Sequence, residues 1–178
     1  MQDIKLDAKE LRLSEPTDAQ IAKIKRRKVF IVCDNVLDTY NIGSIFRLAD
    51  AVAAARVYLC RDSEFPPNIK IKRAAVGTDK WVPWKRAKDA KEGIYDIRKI
   101  EPAVKVVAIE QAEGSKNFKE VSYTEPVAFV IGHETDGVDP ETIKACDEVV
   151  ELPMLGVNKS LNVMVSLAVV LFNSLKLK

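Results

Sequence analysis

The sequence predicts an α/β fold, a mostly parallel β-sheet with flanking helices. Apolar runs of strand length recur along the chain without polar alternation, the pattern of strands buried on both faces. Stretches with apolar residues at helical spacing separate them, and strands that alternate with helices lie parallel in one sheet. A last apolar run, Leu161 to Leu175, is almost free of charge.

Residues 1–16 are polar, and Pro16 closes that segment. Thr17 to Arg27 offers a capping residue before Ile21 and Ile24, which predicts a short helix with a basic end. Val29 to Cys33 is the first strand. A loop from Asp34 to Tyr40 leads into a helix over Asn41 to Val52, with Ile42, Ile45, Phe46 and Ala49 toward the core. Arg56 to Cys60 is the second strand. Residues 61–80 form a long, basic, Pro-containing connection, of a length that is usually functional or locally structured. Trp81 to Trp84 reads as a short strand broken by Pro83, and Asp89 to Ile100 as a helix. Val104 to Ile109 and Val127 to Ile131 are further buried strands. Pro140 to Cys146 reads as a short helix with Pro in its first turn, and Glu148 to Leu152 as the last strand. Ser160 is placed to cap the terminal helix, which is apolar on nearly every face and should be buried on most sides.

At 178 residues, 47% hydrophobic and 30% charged, the chain suits one globular core. The expected division is a short polar and basic segment with a helix over residues 1–28, then a single domain over residues 29–178. A net charge of +2 is a weak signal for nucleic acid, but the cations cluster. Lys23, Lys25, Arg26, Arg27 and Lys28 form one run; Lys70, Lys72, Arg73, Lys80, Lys85 and Arg86 form a second, and such clusters neutralise phosphates. Cys33, Cys60 and Cys146 are far apart, and His133 is the only His, which speaks against a metal site and for reduced thiols in the cytoplasm. The N-terminus has no apolar core for a signal peptide, and the 161–175 run is too short and polar-punctuated to span a membrane.

Three constellations could carry chemistry. Asn41-Ile-Gly-Ser-Ile-Phe-Arg47 sits at a strand–loop–helix junction; Asn41 and Arg47 both reach one end of the sheet only if Asn41 lies in the loop. Gly132-His-Glu-Thr-Asp-Gly137 comes directly after a strand, and its glycines suit a loop whose backbone holds a ligand, with Glu134 as acceptor or acid/base group. Ser160-Leu-Asn162 brings polar groups to a helix start. Each has a plainer reading, as a helix cap with a surface Arg, a tight turn with exposed acids, and a simple N-cap. No P-loop, nucleophile elbow or GxGxxG is present.

Taken in order, NxGxxxR, then GxExxG, then LPM…SLNV resembles the three motifs of the SpoU/TrmH-type branch of the SPOUT RNA methyltransferases, over about Val29 to Leu175. The resemblance implies a C-terminal deep trefoil knot, which nothing in the periodicity shows and which general topology rules disfavour. It implies S-adenosylmethionine as cofactor, held mainly by backbone at Ile109, Ile131, Gly132, Gly137, Leu152, Met154 and Leu161. It implies methyl transfer to a ribose 2′-hydroxyl, with Arg47 as the essential Arg and Asn41, Glu134, Ser160 and Asn162 holding the site together. An Arg stays protonated in water, so its alternative role is electrostatic. The family's homodimer, joined through the terminal helix, would account for the all-round apolar run. No metal is implied. His133, Thr135 and Asp136 depart from the commonest residues of the second motif. The extensions that help longer relatives grip RNA are short, which favours tRNA over ribosomal RNA as substrate. The competing readings are a non-catalytic module that binds cofactor and RNA, and base methylation on the same fold.

Overall fold

The computed structural model describes residues 4–175. The chain runs α1 (Ala8–Leu13), α2 (Asp18–Lys23), β1 (Arg27–Asp34), α3 (Thr39–Ala51), β2 (Ala54–Cys60), α4 (Ile69–Ala75), a 3₁₀ turn (Thr78–Lys80), β3 (Trp84–Ala87), α5 (Ala90–Ile100), β4 (Lys105–Ile109), β5 (Lys116–Asn117), β6 (Val127–Ile131), α6 (Pro140–Ala145), β7 (Glu148–Glu151) and α7 (Val163–Ser174). All seven strands join one sheet in the order β3-β2-β1-β6-β4-β7-β5, and every pairing is parallel.

The central strands are buried end to end because helices cover both faces. One face packs Ile31, Phe129 and Val107 against Ile42, Ile45 and Phe46 of α3, Ile71 of α4, and Leu167 and Leu171 of α7. The other packs Val32, Val106 and Val130 against Ala90, Ile94 and Ile97 of α5, with Ile143 of α6 at its margin. Strand order reverses between β1 and β6, and the loops after β4, β6 and β7 leave the sheet at its C-terminal end, the end at which parallel sheets bind ligands.

Several expected elements shift. Helix α1 arises in the stretch read as merely polar, because Asp7 and Glu10 form a capping box there. The expected Thr17–Arg27 helix stops at Lys23, and Arg27 opens β1, where its backbone N–H donates to the Ala53 carbonyl. The 61–80 connection is locally structured by α4 and the 3₁₀ turn. Strand β3 begins at Trp84, after Pro83, since Pro has no N–H for the ladder. Ser160 is not the cap of the terminal helix. Asn162 caps it, its Oδ1 accepting from Met164 N at 2.9 Å. In the single chain α7 buries Leu167, Val170, Leu171 and Ser174, whereas Val165, Val169 and Phe172 are 38%, 39% and 47% exposed. The expected burial on most sides therefore holds for one face only.

Candidate functional site

Asn41 lies inside α3, not in the preceding loop. Asp38 caps that helix, accepting from Tyr40 N at 2.7 Å, so Asn41 falls in the first turn and turns inward, 5% exposed. Its amide works at both ends. Nδ2 donates to Glu134 Oε1 at 2.9 Å, and Oδ1 accepts from Asn162 Nδ2 at 2.9 Å. Glu134 also accepts from the backbone N–H groups of Asp38 at 2.9 Å and Leu37 at 3.1 Å. One chain of hydrogen bonds, Glu134–Asn41–Asn162, thus ties all three motifs together at the starts of α3 and α7. Burial pushes the Glu134 carboxyl up, but the Asn41 amide and the Asp38 and Leu37 N–H groups outweigh it and hold the group below the usual carboxylate range. An ionised carboxylate saturated with donors at a helix start is an anchor, favoured by the helix dipole, and a poor general base.

The loop after β6 closes tightly. His133 and Gly137 exchange backbone hydrogen bonds at 2.9 and 3.0 Å, and His133 Nδ1 accepts from Thr135 N and Asp136 N at 3.1 and 3.2 Å. A Cβ at Gly132 would collide with the backbone of Gly137 and Val138. Gly137 has φ of 71°, and a Cβ there would collide with the Glu110 carboxylate. That carboxylate accepts from Val138 N and Gln111 N, both at 2.8 Å, and so binds the loop to the end of β4.

Beside this loop lies a cleft of about 390 Å³. Ile109 ends β4 on one side, Ile131 and the Gly132–Gly137 loop form the floor, and Leu152, Met154 and Leu161 of the 152–162 loop close the other side. Gln111 Nε2 donates to the Lys159 carbonyl at 2.5 Å, fastening that loop to the end of β4. Four acids, Glu110, Glu134, Asp136 and Glu151, line the cleft against one Lys, Lys159. Apolar side chains at Ile109, Ile131, Leu152 and Leu161 beside these acids suit a ligand that joins a flat heteroaromatic ring to a positive centre.

All seven expected cofactor positions line this cleft, as do Glu134 and Ser160. Asn41 and Asn162 join it through the hydrogen-bond chain. Arg47 does not line it. Six residues beyond Asn41, it lies roughly 9 Å further along the helix axis, exposed, with no hydrogen bond or ion pair among the described residues. Sequence reading misses Glu110, whose only signal is its place directly after a buried strand. Among the described residues no group of three or more His, Cys, Asp or Glu side chains could hold a metal ion, and no helix is long and apolar enough to cross a membrane.

Residues 28–172 match the model of the SpoU rRNA Methylase family. The tRNA (guanosine(18)-2′-O)-methyltransferase of Aquifex aeolicus is 31% identical over 151 residues, 84% of this chain and 70% of its own. The 23S rRNA (guanosine-2′-O-)-methyltransferase RlmB of Bordetella pertussis is 30% identical over 169 residues, 95% of this chain and 68% of its own. The crystal structure of an AdoMet-bound rRNA methyltransferase from Sinorhizobium meliloti superposes with a TM-score of 0.76 at 26% identity, over 93% of this chain and 59% of that one.

Proposed function

The chain belongs to the SpoU rRNA methylase family, and from that premise we propose how it works and on what. It is an S-adenosylmethionine-dependent RNA methyltransferase that acts on a ribose 2′-hydroxyl. The observation that carries this reading is the convergence of the three motifs, through Glu134, Asn41 and Asn162, on one acidic-rimmed cleft.

The cleft fits the cofactor. Ile109, Ile131, Leu152 and Leu161 supply an apolar bed for the adenine, and Gly132 lets the loop close on itself beside that bed, since a Cβ there would meet the Gly137 and Val138 backbone. The rim carboxylates favour a cationic sulfonium over a neutral thioether. When bound, the cofactor supplies an electrophilic methyl group, so the protein's task is alignment. Glu134 and Asn162 fix the two walls of the cleft relative to each other. Arg47, uncommitted on the surface, serves the RNA side, where its guanidinium holds phosphate and stabilises charge developing on the ribose oxygen.

Several finer points belong to the same proposal. The C-terminal part takes the deep trefoil knot that the motif resemblance implies, with the 152–162 loop fastened to Gln111 at the end of β4. The open apolar face of α7, with Val165, Val169 and Phe172, supports a homodimer through that helix. Three free thiols support a cytoplasmic setting, and tRNA is the favoured substrate, the RNA named for the Aquifex aeolicus relative. The test is transfer of labelled methyl from S-adenosylmethionine to total tRNA and, separately, to ribosomal RNA, then nucleoside digestion and mass spectrometry. A 2′-O-methylated nucleoside from tRNA is expected. A base-methylated product, or no product with cofactor still bound, would overturn the reading.

A further inference from the structure

We propose that the hollow between Trp84, the Pro66–Pro67 turn and α4 is a pocket for an unstacked guanine nucleotide of the RNA, separate from the cofactor cleft. The proposal rests on the RNA-methyltransferase reading above.

The hollow has a volume of about 580 Å³, within the range of small-molecule sites, and shares no residue with the cleft. Its apolar part is Trp84, Pro67 and Ile69. Trp84 is braced by Phe65, with ring centroids 6.0 Å apart, and the Arg86 guanidinium sits 4.7 Å above the Phe65 ring. Such a fixed aromatic face is a stacking platform for a base. Ile69, 66% exposed on α4, adds apolar surface to the edge of the hollow.

The polar part selects the base. Asp79 lines the hollow and is 8% exposed; its Oδ1 is shielded and has no hydrogen-bond donor among the described residues, so a turn of the carboxyl about Cβ–Cγ brings it to a ligand in the hollow. A buried acceptor without a donor is costly, so a ligand that brings N–H groups gains where one without them does not. A carboxylate only accepts. Guanine alone among the RNA bases offers two adjacent donors, N1–H and the 2-amino group; the amino groups of adenine and cytosine sit beside ring acceptors, and uracil has one imino N–H.

The rim supplies the counter-charge. Lys72 borders the hollow, and Lys70 and Arg73 lie beside it on the same short helix; all three are exposed and have no hydrogen bond or ion pair to another side chain among the described residues. Lys85 and Lys116, by contrast, are paired with Asp96 and Glu148. Lys80 is held by Glu15 at 2.5 Å, so the counter-charge for a phosphate falls to Lys72, Lys70 and Arg73. Strand β3 is three positions from β6 in the sheet, roughly 14 Å at the usual strand spacing, so one RNA can reach both sites.

The experiment is equilibrium dialysis of radiolabelled GMP against the full chain, with saturating S-adenosylmethionine present to fill the cleft, and tryptophan emission recorded in parallel. GMP is expected to bind and quench the emission, with IMP, which lacks the 2-amino group, and UMP roughly ten-fold weaker. Asp79→Asn should weaken GMP by a similar factor. Lys72→Glu, at an exposed helix position, should weaken GMP and raise the KM for RNA while leaving S-adenosylmethionine affinity unchanged. Equal affinity for UMP and GMP, loss of GMP binding on adding S-adenosylmethionine, or an RNA KM unmoved by Lys72→Glu overturns the pocket and leaves the methyltransferase reading standing. Guanine-selective binding in a chain that methylates no RNA would do the reverse.

Discussion

Replacing Asn41 with Ala cuts the chain that joins the three motifs. The side chain is buried and makes two hydrogen bonds, each of 2.9 Å. The bond to the Glu134 carboxylate is charge-assisted and worth about 1.5–3 kcal/mol, and the neutral bond from Asn162 about 0.5–1.5 kcal/mol. Both partners keep access to solvent, so water takes up part of what the variant frees, and the expected loss lies at the low end, about 2–3 kcal/mol. For a domain of this size that is a drop in Tm of about 5–10 °C. Urea unfolding monitored by circular dichroism reads the loss directly. Calorimetric titration with S-adenosylmethionine should show affinity down by roughly ten-fold, because both walls of the cleft lose their common tie. A double-mutant cycle with Asn162→Ala isolates the pair. A stability loss below about 0.5 kcal/mol, or a coupling within about 0.3 kcal/mol of zero, would refute the idea that this chain assembles the site.

Other positions give equally direct tests. Arg47→Ala should lower methyl transfer by about 100-fold or more while S-adenosylmethionine affinity stays within about two-fold, since Arg47 lies outside the cleft; unchanged turnover would remove it from catalysis. Gly137→Ala forces a side chain into a positive-φ position against the Glu110 carboxylate and should abolish cofactor binding, read by the same titration. Val169→Asp should leave the fold intact, because the position faces solvent in the single chain, yet dissociate the proposed dimer in sedimentation, since a charge would be buried unpaired. Burial raises the phenols of Tyr58 and Tyr123 to about 12; stability they contribute is whole below about pH 10 and is lost as pH rises toward 12, which unfolding midpoints across that range and tyrosinate absorbance will report.

How far the sequence speaks depends on whether the deciding contact is local. Strand β6, Val127–Ile131, is entirely apolar between Pro126 and Gly132, and both of its ends are legible. Helix α1 is equally local, since Asp7 and Glu10 form a capping box, but the stretch carries no apolar stripe to draw attention. The start of α7 is not legible in the same way. Ser160 and Asn162 are both good caps, and the choice falls to Asn162, which also meets Asn41 from 121 residues away. Glu110 is the same kind of case: a solitary acid after a strand gains its role only when Val138 N and Gly137 arrive beside it. The seven expected cofactor positions come from the motif resemblance and gather round one cleft, and at Gly132 the demand for glycine is the close packing of the Gly137 and Val138 backbone.

The hydrogen bond between Asn162 and Asn41 also sets an order of events during synthesis. Helix α3 is made early, and β1 and β2 can pair as soon as both have emerged, yet Asn41 must wait for a residue 121 positions later. Closing so long a loop carries an entropic cost that grows as about (3/2)RT ln n, repaid only when the 152–162 segment and α7 dock. A nascent chain that has folded through β6 therefore holds a sheet and half of a cleft. S-adenosylmethionine, which needs both walls, has nothing to grip until that last docking is done. Its binding energy then adds to the completed fold alone, so the cofactor acts as a latch on the finished enzyme and gives no help to its earlier intermediates.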